Sequence, residues 1–212
     1  MQSSEINRIV EQLDPLLLEG DRLKLLPSSF YQQILPEKLR VWCRAKARYT
    51  LPTIELIEFL KQQIGERSAI ELGAGNGDLG FHLGIAQTDS YCQDTPMMKL
   101  YYQSIGQTVT QPREDVERLE ALDGIAHHKP QVAIASWLTQ IYRPDCDLGS
   151  EFGADEEQII AQVEMYIHVG NRDSHGSKRI LKKTHIEYVI PGLVTRANRP
   201  EENVIYVWHT QQ

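Results

Sequence analysis

The segment Glu71-Leu72-Gly73-Ala74-Gly75-Asn76-Gly77-Asp78 carries the clearest chemistry in this chain. An apolar run, SAIEL, enters three glycines at alternating positions, and a helical segment follows. Glycine allows a tight turn and close approach of a ligand to the backbone, and the following helix start offers unpaired N–H groups. A nucleotide-like ligand fits. Glu71 stands two residues before the first glycine, where a carboxylate repels a pyrophosphate and attracts an ammonium or sulfonium group. The loop departs from the GxGxxG fingerprint of dinucleotide sites and lacks the lysine of a P-loop, which disfavours ATP cleavage.

This loop needs elements to hold it. Ile6, Ile9, Val10 and Leu13 lie at helical spacing with Pro15 as the stop, and residues 37–47 repeat a helical pattern after Pro36. In TIELIEFLKQQIG, Thr50 or Thr53 caps, Ile54, Ile57, Leu60 and Ile64 form a stripe, and Gly65 ends the helix. The first 65 residues therefore read as helical throughout. From Ser68 onward seven strand-like runs recur: SAIELGAG, IAQTDS, TVTQP, QVAIASW, EMYIHVG, HIEYVI and NVIYVWH. DTPMMKLYYQSIG, REDVERLEALDGIAHHK and ADEEQIIAQV between them are of helix length, and strands alternating with helices imply a parallel sheet. PGLVTRANRPEE before the last run suits a reversing loop better than a crossover helix. The expected architecture is α/β, a doubly wound, seven-stranded, mostly parallel sheet with the last strand antiparallel. Residues 1–65 would form a helical N-terminal cap and residues 66–212 a Rossmann-like domain.

On these grounds ELGAGNGD resembles motif I of the class I S-adenosylmethionine-dependent methyltransferases, and the seven strands with the last reversed resemble that family's sheet over residues 66–212. The resemblance implies S-adenosyl-L-methionine as cofactor. It would place Glu71 at the amino-acid end of the cofactor, with Gly73, Ala74 and Gly75 lying along it. Asp89, followed by Ser90 at the end of the second strand, matches the acid that takes the two ribose hydroxyls; an ionised carboxylate is acceptor-only and can accept both. Asp115 and Val116 match the adenine contacts, although Glu114 competes and Asp115 could equally support a helix start. Ser136 and Trp137 close the fourth strand as the last match. The continuation SWLTQIY lacks the Asn/Asp-Pro-Pro-aromatic signature of amino methyltransferases, and no Pro-Cys pair supports attack on cytosine C5.

Methyl transfer from a sulfonium is an in-line displacement, so positioning can supply much of the rate. The acceptor side should lie beyond the strand ends, from Ser136 to Tyr142 and in NRDSHGSK. His175 and Tyr142 are the candidate catalytic groups, with Lys178 and Arg196 as polar candidates and Tyr49 and Thr50 as closing residues; core packing, capping and surface charge are the competing roles. The cluster Arg40, Arg44, Lys46 and Arg48 reads as a solvated helix face. No metal set is defined by the seven histidines, and His127 and His128 read as a helix end.

The 22 basic against 29 acidic residues, a net charge of −7, disfavour a nonspecific polyanion binder, so nucleic acid is an unlikely partner and a small-molecule or protein substrate is expected. Cys43, Cys92 and Cys146 show no disulfide or zinc spacing, which fits a reducing cytoplasm. MQSSEINRIVEQLDPLLLEG lacks the features of a signal peptide, and no apolar run approaches the roughly 20 residues of a membrane span. A methyltransferase-like module acting through a protein partner, and a nicotinamide-dependent oxidoreductase, are the rival readings.

Overall fold

The computed structural model describes residues 3–144 and 149–210; Cys146 lies outside them. The amphipathic pattern at the N-terminus forms α1 (Ser3–Leu17). Pro15 does not stop this helix, because fully buried Leu17 anchors the turn beyond it. A small ribbon follows, β1 (Leu18–Glu19) with β2 (Arg22–Leu23), then α2 (Ser28–Tyr31), α3 (Pro36–Ala45) and β3 (Thr50–Leu51). The N-terminal region is thus not helical throughout. Next comes α4 (Ile54–Ile64), where the Thr53 hydroxyl accepts from the Leu56 N–H and Gly65 follows with φ 61°.

The remaining elements are β4 (Ala69–Leu72), α5 (Asp78–Leu83), β5 (Ala86–Asp89), α6 (Pro96–Ser104), β6 (Glu117–Arg118), α7 (Ala121–His128) and β7 (Val132–Ser136). After them come α8 (Glu156–Gln162), β8 (Met165–Asn171), α9 (Arg172–His175), β9 (Ile186–Tyr188), β10 (Val194–Thr195) and β11 (Asn203–His209). Seven strands form one sheet in the order β6-β5-β4-β7-β8-β11-β9. The strands from β6 to β8 pair in parallel; β11 is antiparallel to both neighbours, β8 and β9. The last strand is reversed as the sequence implies.

The third strand differs from expectation. TVTQP is not in the sheet, because side chains rather than a neighbouring strand take its N–H groups: Thr110 donates to Gln93 Oε1 (2.9 Å) and Gln111 to Asn76 Oδ1 (2.8 Å). The two-residue strand β6 occupies that place instead, so Asp115 and Val116 precede the third strand.

Both faces of the sheet are covered. Leu56, Ile57, Leu60 and Ile64 of α4 pack with Ile134, Ile167 and Val207 on one face. Ile125, Ile159 and Ile160 pack with Leu72, Ala135 and Tyr206 on the other. Every residue of β8 is buried, as a strand covered on both sides requires. Residue 65 does not mark a break in packing: α4 belongs to the sheet's core, and β3 pairs with β10, Leu51 opposite Val194 and Thr50 opposite Thr195. A separate cluster of Leu13, Leu17, Leu23, Trp42 and Cys43 holds the N-terminal elements together.

These elements reach the glycine loop through Asp78. Its carboxylate pairs with Arg48 (3.1 Å) and with Arg113, and accepts the Leu23 N–H (3.0 Å). All three charged side chains are nearly buried, so Arg48 is not on a solvated helix face. Removing one member of such a group leaves an uncompensated buried charge. Asp78→Ala should therefore lose about 3–5 kcal/mol of stability in urea unfolding; a loss below about 1 kcal/mol, the range of an exposed pair, would show that these charges remain hydrated.

Candidate active site

A cavity of about 450 Å³ opens at the carboxyl ends of β4, β5, β7 and β8. Gly73, Gly75 and Gly77 all adopt positive φ, between 57° and 72°, so the turn after β4 uses the freedom that glycine alone supplies cheaply. At Gly73 a Cβ would lie 2.4 Å from Leu138 Cδ1, which closes the turn against the segment after β7.

Glu71 of the loop and Asp89 at the end of the second strand both line the cavity, as expected of a shared site. Glu71 is 2% exposed, and one of its oxygens accepts the Gly80 N–H (2.7 Å), so that group of the short helix α5 is not free for a ligand. Burial, opposed by that N–H and reinforced by Asp78 and Asp89, pushes its carboxyl up to about 8. Asp89 accepts from Gly75 N–H (2.8 Å) through one oxygen and from Tyr91 N–H (2.7 Å) through the other. Burial raises its pKa despite these donors. Each oxygen keeps a lone pair, so the chemistry still suits two hydroxyl donors.

Other expected contacts are not on the cavity wall. Asp115 is held by Arg22 (2.8 Å), which also donates to Gly77 O (3.1 Å). Val116 is buried beneath Gly77, and Ser90 accepts the Cys92 N–H (3.3 Å). None of the three lines the cavity: Asp115 and Val116 precede the strand they were expected to follow, and Ser90, although it follows β5, turns its hydroxyl to the Cys92 N–H.

At the opposite wall, residues distant in sequence converge. Ser136 donates to Thr50 Oγ1 (2.8 Å), joining the end of β7 to the β3–β10 ribbon. Trp137 follows with φ 57°, a backbone conformation costly for a side chain of its size. Its ring lies 5.9 Å from Tyr49 and 4.9 Å from His175, centroid to centroid. Arg196, whose backbone N–H donates to Tyr49 O (2.9 Å), stacks its guanidinium 3.5 Å over the Tyr49 ring.

His175 lines the cavity but is not built to be a general base. Burial, with the charges of nearby His168 and Lys178, pushes it down to about 2. Its Nδ1 accepts the Asn171 N–H (2.9 Å), which commits the lone pair of the neutral ring. Tyr142 is 52% exposed and lies off the cavity wall. Lys178 is buried, bonded to Leu138 O (2.7 Å) and paired with Glu156. Burial alone would raise Glu156, but Lys178 and His168 outweigh it and hold it at about 2. Glu156, read only as a helix residue from sequence, is therefore the counter-charge under the cavity floor. Tyr101, Tyr102 and Gln107, in and after α6, complete the wall; their only sequence signal is a helix rich in aromatics.

Away from the cavity, Glu117, His127 and His128 bring their ligand atoms within 4.8 Å of one another, a grouping hidden in sequence because Glu117 sits on the edge strand. Among the described residues, no helix is long and apolar enough to cross a membrane.

The sheet has the expected Rossmann-like arrangement, doubly wound and mostly parallel with β11 reversed. No family model and no curated protein matches this chain. Among solved structures, an rRNA methylase from Streptococcus thermophilus is similar at TM-score 0.40 and 14% identity, over 74% of this chain and 94% of that one. A candidate methyltransferase from Escherichia coli is similar at TM-score 0.35 and 11% identity, over 73% and 86%. A candidate RNA methyltransferase from Pyrococcus horikoshii is similar at TM-score 0.31 and 10% identity, over 71% and 79%. The expectation that nucleic acid is an unlikely partner is corrected, since two of these matched chains are named for RNA. It rested on the net charge of the whole chain, which does not describe a cavity where Arg48, Lys178 and Arg196 stand among Glu71, Asp78 and Asp89.

Because the folded-state pKa of Glu71 is raised to about 8, while an unfolded glutamate titrates near about 4.3, its carboxyl favours folding fully below that lower value. That contribution is lost as pH rises toward about 8. The stability of wild type minus that of Glu71→Gln, from urea unfolding, should fall between about pH 4.5 and about pH 8 and then level. A constant difference would mean that Glu71 titrates like a solvated glutamate.

Proposed function

We propose that this chain is an S-adenosylmethionine-dependent methyltransferase that works by direct in-line transfer. The observation that carries this reading is the pairing of a three-glycine turn with two carboxylates, Glu71 and Asp89, on one cavity wall. Arg48, the cation lining that end, is committed to Asp78 and is not offered to a phosphate. The donor set fits the cofactor: Asp89 has acceptor capacity for ribose hydroxyls, and Gly73 to Gly75 admit a ligand against the backbone. Glu71, ionised or nearly so once a positive charge stands nearby, balances that charge.

When bound, the cofactor supplies an electrophilic methyl group on a sulfonium. The chain's own contribution is positioning. Tyr49 and Trp137 form a ring wall for the acceptor, while Leu138 and Lys178 fix the segment after β7 that faces the glycine turn. With His175 neutral and its lone pair engaged, the acceptor must present its own nucleophilic atom, and orientation carries the catalysis.

Thermal unfolding with S-adenosylmethionine, S-adenosylhomocysteine and NAD tests this reading. A ligand at 100 times its dissociation constant adds about 2.7 kcal/mol, so both sulfur compounds should raise the midpoint and NAD should not. Asp89→Asn should weaken S-adenosylhomocysteine about tenfold, the worth of one or two hydrogen bonds. A rise with NAD alone would make the site a nicotinamide site, and no rise with any of the three would favour a binding module.

A further inference from the structure

The cations lining the cavity are balanced with one exception. Arg48 is paired with Asp78, and Lys178 with Glu156. Arg196 makes no ion pair among the described residues; its Nη2 donates to Gln107 Oε1 (3.2 Å) and its Nη1 has no partner. The indole Nε1 of Trp137 is likewise a buried donor without an acceptor, and the Arg196 guanidinium lies 6.0 Å from that ring. A buried donor left unpaired is costly, and here two of them stand at one wall. Neither is there by local accident. The β3–β10 pairing places Arg196 beside Tyr49, the Ser136–Thr50 hydrogen bond docks that ribbon on the end of β7, and a positive φ turns the chain at Trp137.

Resting on the methyltransferase reading, we propose that this wall is the acceptor's recognition site. It would take a planar ring carrying an anionic oxygen group, with the ring against Tyr49 and Trp137 and the anion on Arg196 and the Trp137 N–H. A guanidinium stacked on an aromatic face keeps its edge N–H groups for an oxyanion, which a lysine could not do in the same geometry. The two unpaired donors then gain acceptors, and the cavity's one unbalanced cation gains its counter-charge. A carboxylate on an aromatic acid and the phosphate of a free nucleotide share this chemistry.

Calorimetric titration of the wild-type complex with saturating S-adenosylhomocysteine separates the two sources, using 4-hydroxybenzoate and uridine 5′-monophosphate. The amide 4-hydroxybenzamide and uridine are the uncharged controls. Binding of at least one anion is expected, with its control much weaker; which anion binds identifies the source. Arg196→Gln should weaken that anion about 10- to 100-fold, the range of a charge-assisted hydrogen bond, while S-adenosylhomocysteine binds as before. Trp137→Phe, which keeps a ring and removes the N–H, should weaken it several-fold and serves if the first variant does not fold. Failure of both anions to bind a complex that does hold S-adenosylhomocysteine overturns this proposal and leaves the cofactor reading intact. Equal binding by the variants and wild type also overturns it. So does loss of S-adenosylhomocysteine binding in a folded Arg196→Gln protein, which would assign Arg196 to the cofactor. Failure of the wild type to bind S-adenosylhomocysteine defeats the underlying methyltransferase reading instead.

Discussion

One buried carboxylate, that of Asp78, ties together three stretches of chain that otherwise have no reason to meet. Arg48 comes from the N-terminal region, Arg113 from the segment before β6, and Asp78 from the end of the glycine turn. Charges this far from water are tolerated only when each finds its partner, so the cluster specifies a single arrangement more than it adds net stability. Neighbouring bonds follow the same joint: Asn76 donates to Ala47 O (2.9 Å) and accepts from Gln111 N–H, and Arg22 reaches Gly77 O. The glycine turn is thereby bracketed on both sides, and the cavity has walls because of it.

A second joint sets the other end. The β3–β10 ribbon is only two residues long in each strand, yet it brings the loop between the last two sheet strands against the N-terminal region. Thr50 does not cap α4, a task that Thr53 performs; it accepts from Ser136 and thereby registers the ribbon on the sheet. The glycine turn and the Tyr49–Trp137 wall are therefore positioned by different joints, one ionic and one built from hydrogen bonds.

How much of this could be read from residues alone depends on how local each feature is. The glycine turn, the limits of α4 at Thr53 and Gly65, and the reversal of the last strand all rest on nearby residues, and the structure has them. The third strand was misplaced because a two-residue edge strand has no period to detect, while TVTQP alternates convincingly but is bonded by Gln93 and Asn76. That slip carried Asp115 and Val116 with it. Arg48 was read as surface because a run of basic residues looks solvated; only the distant Asp78 and Arg113 make it an interior residue. Glu156 is illegible as a counter-charge for the same reason, since its partner Lys178 lies 22 residues away, and Arg196, a polar candidate in the sequence, gains its place over Tyr49 only through a contact spanning 147 residues.

The floor of the cavity constrains the chemistry that the walls can support. Glu156 is fully committed, accepting from Tyr166 Oη (2.7 Å) and pairing with Lys178, with His168 Nδ1 3.4 Å away. Burial and Lys178 push His168 down to about 4, and His175 above it is lower still. Both imidazoles are therefore neutral wherever the protein is ordinarily folded, and the lysine charge is balanced before any ligand arrives. Such a floor neither gives nor takes a proton near neutral pH. It fixes the Leu138 carbonyl and the Trp137 ring instead, so what the ring wall offers a ligand is shape and charge rather than a proton-transfer group.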